Sequence, residues 1–286
     1  MIQYSIGETG EVVMASLTSG RGASEEMTSI AARRKEMVER DIAARGVRDQ
    51  LVLDAMGKVP RELFLPARLR DLAYGDSPLP IGGAQTISQP YIVALMAEAL
   101  ELKGGEKILE IGTGSGYAAA VLSEIAGEVY TVERLGQLAE TAAVRLADLG
   151  YANVHILHGD GTRGWPDHAP FDAIVVAAGG PRVPESLKSQ LKVGGRLVIP
   201  VGTDRCGQEL VRLTRVSDNE YRSEDLADVR FVPLLGEEGW ATGKQRPGLG
   251  RLFRALRHAA TEEANAATPQ ETAENEGLPD SCPFGR

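Results

Sequence analysis

The segment Lys107-Ile-Leu-Glu-Ile-Gly-Thr-Gly-Ser-Gly-Tyr117 constrains this chain more than any other. Its apolar run, Ile108, Leu109 and Ile111, breaks into the alternate glycines Gly112, Gly114 and Gly116, and a helix-compatible stretch follows. The pattern reads as strand, tight loop and helix. Glycines at a strand's carboxyl end can take positive φ and carry no Cβ, so a flat or extended ligand can lie directly against the main chain.

The loop departs from both phosphate-binding patterns. A dinucleotide fingerprint has a third glycine three residues after the second, where this chain has Tyr117, and the Gly-Lys-Ser/Thr of a P-loop is missing. A ribose-binding acid is nevertheless in place, because the apolar run Val129-Tyr-Thr-Val-Glu133 ends in a carboxylate 21 residues after Gly112. An acid suited to ribose hydroxyls without a pyrophosphate cradle points to the nucleoside-type cofactor S-adenosylmethionine.

Strand and helix patterns alternate on both sides of this motif. Strands are expected at 107–112, 128–133, 154–158, 171–178, 195–201, 208–216 and 226–234, and helices at 117–126, 135–149 and 184–191. This predicts an α/β chain with a doubly wound, mostly parallel, seven-stranded Rossmann-like sheet. Ligands in such sheets sit outside the carboxyl ends of the strands, so the glycine loop, Glu133 and His158-Gly-Asp-Gly161 should converge. There Asp160 could accept a hydrogen bond from an adenine amino group; its alternative role is to form the turn between two glycines.

Upstream, helices are expected at 26–45, 49–58 and 91–102, and residues 60–90 are broken by prolines and glycines into a long loop. Its end, Ile81-Gly-Gly-Ala-Gln-Thr-Ile-Ser-Gln-Pro90, offers Ser88 or Gln89 as a helix N-cap with Pro90 near the first helical position. The expected organisation is a disordered extension over 1–25, a single domain over 26–240 and a tail over 241–286. The domain divides into helices and active-site loop (26–103) and cofactor-binding sheet (104–240). The tail holds a short basic helix, Arg251 to His258, and a disordered stretch from 261 whose large apolar residues are few.

Charge narrows the partners. With 31 Lys and Arg against 40 Asp and Glu the net charge is −9, which leaves no footprint for wrapping nucleic acid. The apolar run Phe171 to Gly179 is too short to span a bilayer, so no membrane is expected. Cys206 and Cys282 make neither a disulfide framework nor a metal spacing, and four scattered histidines add no ligand cluster. A cytoplasmic monomer without a structural metal is the expectation.

Together these motifs resemble the protein-L-isoaspartate (D-aspartate) O-methyltransferases over roughly Met27 to Leu234. The most specific signal is Ala73-Tyr-Gly-Asp-Ser-Pro-Leu-Pro-Ile-Gly-Gly-Ala-Gln-Thr-Ile-Ser-Gln-Pro90. Val59-Pro-Arg-Glu62, Glu110-Ile-Gly-Thr-Gly-Ser-Gly-Tyr117, Val132-Glu-Arg134, Gly159-Asp-Gly161, Phe171-Asp-Ala-Ile174, Gly194 to Gly202 and Phe231-Val-Pro-Leu234 support it. One departure stands inside the signature, Ala84, where bacterial members usually have glycine. The resemblance implies a methyltransferase fold with Ser88 as the active-site serine. It places Thr86, Ile87 and Gln89 at the cofactor and substrate pocket, and assigns Glu110, Gly112, Thr113, Gly114, Glu133, Asp160 and Gly161 to S-adenosylmethionine. Ile81, Val232 and Pro233 are implied near the substrate, and isoaspartyl-containing peptides and proteins as the partners.

The chemistry is consistent with these residue types. A side-chain carboxylate is already ionised at neutral pH, so its attack on a sulfonium methyl needs no general base, and the lack of a catalytic histidine motif is no objection. What such an enzyme must do is exclude water and orient the carboxylate without neutralising it, and Ser88 can donate one orienting hydrogen bond. Two rival readings remain at this level. One is a methyltransferase of the same lineage acting on an aspartyl side chain of a dedicated peptide or on a small acid; the other is a non-catalytic protein-binding module built on the cofactor fold.

Overall fold

The computed structural model describes residues 29–203 and 207–241. The expected extension over 1–25, the basic helix 251–258, the tail beyond it and both cysteines lie outside the described residues.

Helix α1 (residues 29–36) continues into a wider π turn, Met37–Ile42, and its buried Met37 and Ile42 face the core. Helix α2 (Gln50–Lys58) starts where the Asp49 carboxylate accepts the Leu51 N–H at 2.9 Å, a side-chain cap of the usual kind. The stretch expected to be loop is more ordered than its composition implies. Two tight 3₁₀ turns, Arg61–Phe64 and Ala67–Leu72, lead into a small hairpin of β1 (Leu79–Gly82) and β2 (Gln85–Ile87). Its bend has positive φ at Gly82, Gly83 and Ala84, and a strand of three residues is too short to announce itself by alternation.

Helix α3 (Pro90–Ala99) follows the hairpin, with Pro90 at its first position, where a missing N–H costs nothing. Its cap differs from expectation. Gln89 holds the N-cap position but makes no side-chain cap, and Ser88 makes none; the Asp76 carboxylate reaches in to accept the Tyr91 N–H at 3.3 Å and the Gln89 amide at 2.5 Å. A distant acid therefore satisfies the helix start, and the Ser88 side chain is released from that task.

The main sheet then builds as expected: β3 (Lys107–Ile111), α4 (Tyr117–Ser123), β4 (Glu128–Glu133), α5 (Gly136–Asp148), β5 (Val154–His158), β6 (Phe171–Val176), α6 (Glu185–Ser189), β7 (Leu191–Val201), β8 (Gln208–Ser217) and β9 (Glu220–Val229). Strand order is β5-β4-β3-β6-β7-β8-β9, parallel through β7 and antiparallel for the last two pairings. The order reverses at β3, so the glycine loop at its carboxyl end opens into the crevice between β4 and β6.

Both faces of the sheet are covered, which is why the central strands are mostly apolar and do not alternate with polar residues. Ile108, Val129, Val175 and Val198 pack under the helices of the N-terminal half, while Leu109, Val132, Ile174, Val176, Leu197 and Ile199 point the other way toward α6 and its neighbours. The strand at the C-terminal end is displaced from its expected span of 226–234. It is Glu220–Val229, and residues 231–234 leave the sheet edge, Pro233 bridging Gly179 just beyond the carboxyl end of β6. Pro233 cannot donate to a ladder, and Phe231 is instead held by the buried Gln208 side chain, whose Oε1 accepts the Phe231 N–H at 2.7 Å.

Candidate active site

Three loops meet at the crevice. Gly112, Gly114 and Gly116 have φ of 96°, 55° and 89°, and a Cβ added at Gly114 would come within 3.3 Å of the Ile81 side chain. Left-handed backbone and close approach thus both require glycine there. Glu133 ends β4 and folds back over this loop, one carboxylate oxygen accepting the Gly114 N–H and the other the Leu135 N–H, each at 2.9 Å. Each oxygen has taken one donor and can take another, so the carboxylate can still accept a pair of vicinal hydroxyls. That geometry, with main chain exposed alongside it, fits the ribose of a nucleoside cofactor.

Beneath the loop lies a buried polar ladder. The Thr113 and Thr131 hydroxyls are 2.6 Å apart, and Thr131 donates to Glu110 at 2.6 Å. Glu110 is 1% exposed, and burial raises its pKa to about 8, with the Glu133 charge adding to the rise and the Thr131 hydrogen bond opposing it. Glu110 is therefore a protonated, neutral prop under the loop at neutral pH, and it does not line the cavity.

The cavity spans about 850 Å³, its open mouth included, and is walled by Thr86, Ile87 and Ser88 from the hairpin, by Gly112 to Ser115 and Glu133, by Gly161, and by Val232 to Leu235. Ser88 stands between hairpin and helix α3. Its carbonyl accepts from Arg61 Nη2 at 2.8 Å, and its hydroxyl has no hydrogen-bond partner among the described residues. On the opposite wall the Val232 carbonyl accepts the Gly179 N–H and the Leu234 N–H reaches the Gly179 carbonyl, both at 2.8 Å, which pins Val232 and Pro233 beside the end of β6.

Most of the expected site residues are brought together, with four exceptions. Gln89 is drawn off by Asp76, Glu110 lies below the loop, and Ile81 packs over Gly114 without lining the cavity. Asp160 caps its own turn through the Thr162 N–H (2.9 Å) and hydroxyl (2.7 Å) and accepts the Glu237 N–H at 2.8 Å. Its carboxylate is occupied in fastening the 236–238 segment and does not reach the cavity wall, whereas Gly161 does. Tyr117, Arg134 and Leu135 also line the cavity. The last two directly follow Glu133, so its position at the strand end was the available signal.

The family model for protein-L-isoaspartate(D-aspartate) O-methyltransferase matches residues 32–239. Among curated relatives, a protein-L-isoaspartate O-methyltransferase 1 of Rhodopseudomonas palustris strain HaA2 is 66% identical over 228 residues, covering 80% of this chain and 93% of its own. A protein-L-isoaspartate O-methyltransferase of strain CGA009 is 68% identical over 218 residues, 76% of this chain and 99% of its own. Among solved structures, a protein-L-isoaspartate O-methyltransferase aligns with a TM-score of 0.64 at 32% identity, over 72% of this chain and 67% of that one. A second, from Plasmodium falciparum in complex with S-adenosyl-L-homocysteine, aligns with a TM-score of 0.61 at 26% identity over 71% of this chain and 98% of that one.

Proposed function

This chain belongs to the protein-L-isoaspartate(D-aspartate) O-methyltransferase family, and from that premise we propose that its crevice binds S-adenosylmethionine and presents the cofactor to a carboxylate held at Ser88. The enzyme transfers a methyl group to the free carboxylate of L-isoaspartyl, and by the family's description D-aspartyl, residues in damaged proteins.

Glu133 is the proposed ribose contact, Gly112 to Gly114 the main-chain bed, and Gly161 the wall near the base. When bound, S-adenosylmethionine supplies an electrophilic methyl group on a sulfonium. The protein's part is then positional. The substrate carboxylate arrives ionised, so no side chain needs to remove a proton, and a general base in the cavity would have nothing to do. Ser88 donates one hydrogen bond to a carboxylate oxygen, which fixes its direction and leaves its charge and nucleophilicity largely intact. Val232 and Pro233 close the opposite wall, and the apolar side chains Ile87 and Leu234 help to keep water from the reacting pair. Once the ester has formed, the amide nitrogen of the following residue can attack the activated carbonyl and expel methanol. The resulting succinimide reopens in part to normal aspartate, which makes the reaction a repair step.

The observation that carries this reading is the Ser88 hydroxyl, without a hydrogen-bond partner among the described residues, on the same cavity as the loop-bound Glu133. The decisive test is a labelled-methyl assay on an isoaspartyl peptide, the same peptide with normal aspartate, and small carboxylic acids. Methylation confined to the isoaspartyl peptide is expected; equal labelling of the aspartyl peptide or of a small acid would overturn the substrate assignment. We also take the enzyme to act as a cytoplasmic monomer. No helix among the described residues is long and apolar enough to cross a membrane, and light scattering on the purified chain tests its oligomeric state.

A further inference from the structure

Arg61 is a fully buried charge that the mechanism above leaves unused. It opens the turn Arg61–Phe64 and is 0% exposed, yet it forms no ion pair among the described residues. Its Nε donates to the Ala73 carbonyl and its Nη2 to the Ser88 carbonyl, both at 2.8 Å. One side chain therefore ties together the two ends of the Ala73–Ser88 loop that carries the hairpin. The guanidinium lies over the Tyr117 ring, 4.7 Å from its centroid, and Nη1 is buried without a hydrogen-bond partner. Neighbouring acids are committed elsewhere. Glu62 takes the Tyr74 hydroxyl and pairs with Arg34, while Asp76 takes Arg45, Gln89 and the Tyr91 N–H.

Closing the base of a loop needs only neutral donors, and an unpaired buried cation costs stability. Burial accordingly lowers the Arg61 pKa from its ordinary value, although a guanidinium remains protonated at neutral pH. Both residues that Arg61 grips from behind, Ser88 and Tyr117, are cavity wall. The charge thus sits one residue's thickness from where an anionic substrate would arrive, in a setting of low dielectric where an opposite charge counts for more than in water.

We propose that Arg61 is a positioning residue for methyl transfer: through the Ser88 carbonyl it sets the direction of the Ser88 hydroxyl, and its unpaired charge favours an anionic carboxylate over a neutral amide at that hydroxyl. This rests on the reading of Ser88 given above. Arg61→Lys keeps the charge but loses the two-pronged grip; Arg61→Gln keeps an amide donor and loses the charge. Stability and activity should then rank the two variants in opposite orders. Thermal unfolding should find Arg61→Gln at least as stable as Arg61→Lys, because it buries no ion. Methylation of an isoaspartyl peptide should show the reverse, with KM raised about tenfold or more by Gln and only about threefold by Lys, and S-adenosylhomocysteine affinity within about twofold of the parent in both. In a Ser88→Ala background the effect of Arg61→Lys on KM should shrink from about threefold to less than about twofold, because the hydroxyl it orients is gone.

Activity that ranks with thermal stability, or an Arg61→Lys effect of the same size in both Ser88 backgrounds, overturns the proposal. If Arg61→Gln does not fold, as loss of S-adenosylhomocysteine binding would reveal, the Arg61→Lys comparison in the two backgrounds decides alone. A parent enzyme inert on isoaspartyl peptide overturns the underlying reading and this inference with it, whereas an active parent indifferent to Arg61 overturns this inference only.

Discussion

Replacing Glu110 by Gln should stabilise the protein, and increasingly so as pH rises. An unfolded glutamate titrates at its ordinary value of 4.5, whereas burial lifts the folded group to about 8. Between those values the folded state keeps a proton that the unfolded state has released. Stability from this group therefore falls as pH rises through the window and levels off above about 8, the reverse of a salt-bridged carboxylate. The slope is about 1.4 kcal/mol per pH unit, which makes the penalty on the order of 3 kcal/mol at pH 7 and on the order of 5 kcal/mol once the group ionises in the folded state. Gln is isosteric and neutral, and its carbonyl can still accept the Thr131 hydroxyl now bound at 2.6 Å. Urea unfolding of parent and Glu110→Gln at pH 5.5, 7 and 8.5 measures the difference, as does the shift in Tm, which should reach about 5 °C or more at the highest pH. A constant difference across pH, or a Gln variant less stable throughout, would refute the account of Glu110 as a buried neutral prop.

Three further outcomes are expected. Ser88→Ala should cost less than about 0.5 kcal/mol of stability, since Asp76 and not Ser88 caps helix α3, while methyl transfer falls more than about tenfold and Ser88→Asp is worse still because it sets a second anion against the substrate. A Ser88→Asp enzyme as active as the parent would sink the orienting role. Glu133→Gln should weaken S-adenosylhomocysteine binding by about tenfold or more, read by isothermal calorimetry, because an amide oriented to accept from Gly114 offers its second donor where Leu135 also donates; unchanged affinity removes Glu133 from the site. Ala84→Gly should stabilise by up to about 1 kcal/mol in thermal unfolding, since Ala84 sits at a φ of 58° that glycine adopts freely, and a loss of stability would show that the hairpin does not hold that conformation.

Much of the fold was already legible in the order of residues. Nearly continuous apolar runs such as Ala173–Val176 read as strands covered on both faces, and Gly112, Gly114 and Gly116 at the end of a similar run dictate a loop that exposes main chain. Glu133 follows from the next strand's end, and the signature around Ser88 carried the family. These features are local, set by periodicity, by the absence of a Cβ and by position at a strand terminus.

What sequence could not decide was which distant groups would satisfy one another. Asp76 takes the cap that Ser88 or Gln89 was placed to supply, Asp160 spends its carboxylate on the Glu237 backbone, and residues 231–234 leave the sheet because Gln208 offers Phe231 a substitute ladder partner. Arg61 is the clearest case, since an arginine beside a glutamate reads as a surface charge until the Ala73 and Ser88 carbonyls close over it from opposite ends of a loop. Burial and hydrogen-bond satisfaction belong to the closed chain, because a donor's partner is whichever group the packing brings within 3 Å of it, and no window of neighbouring residues contains that information.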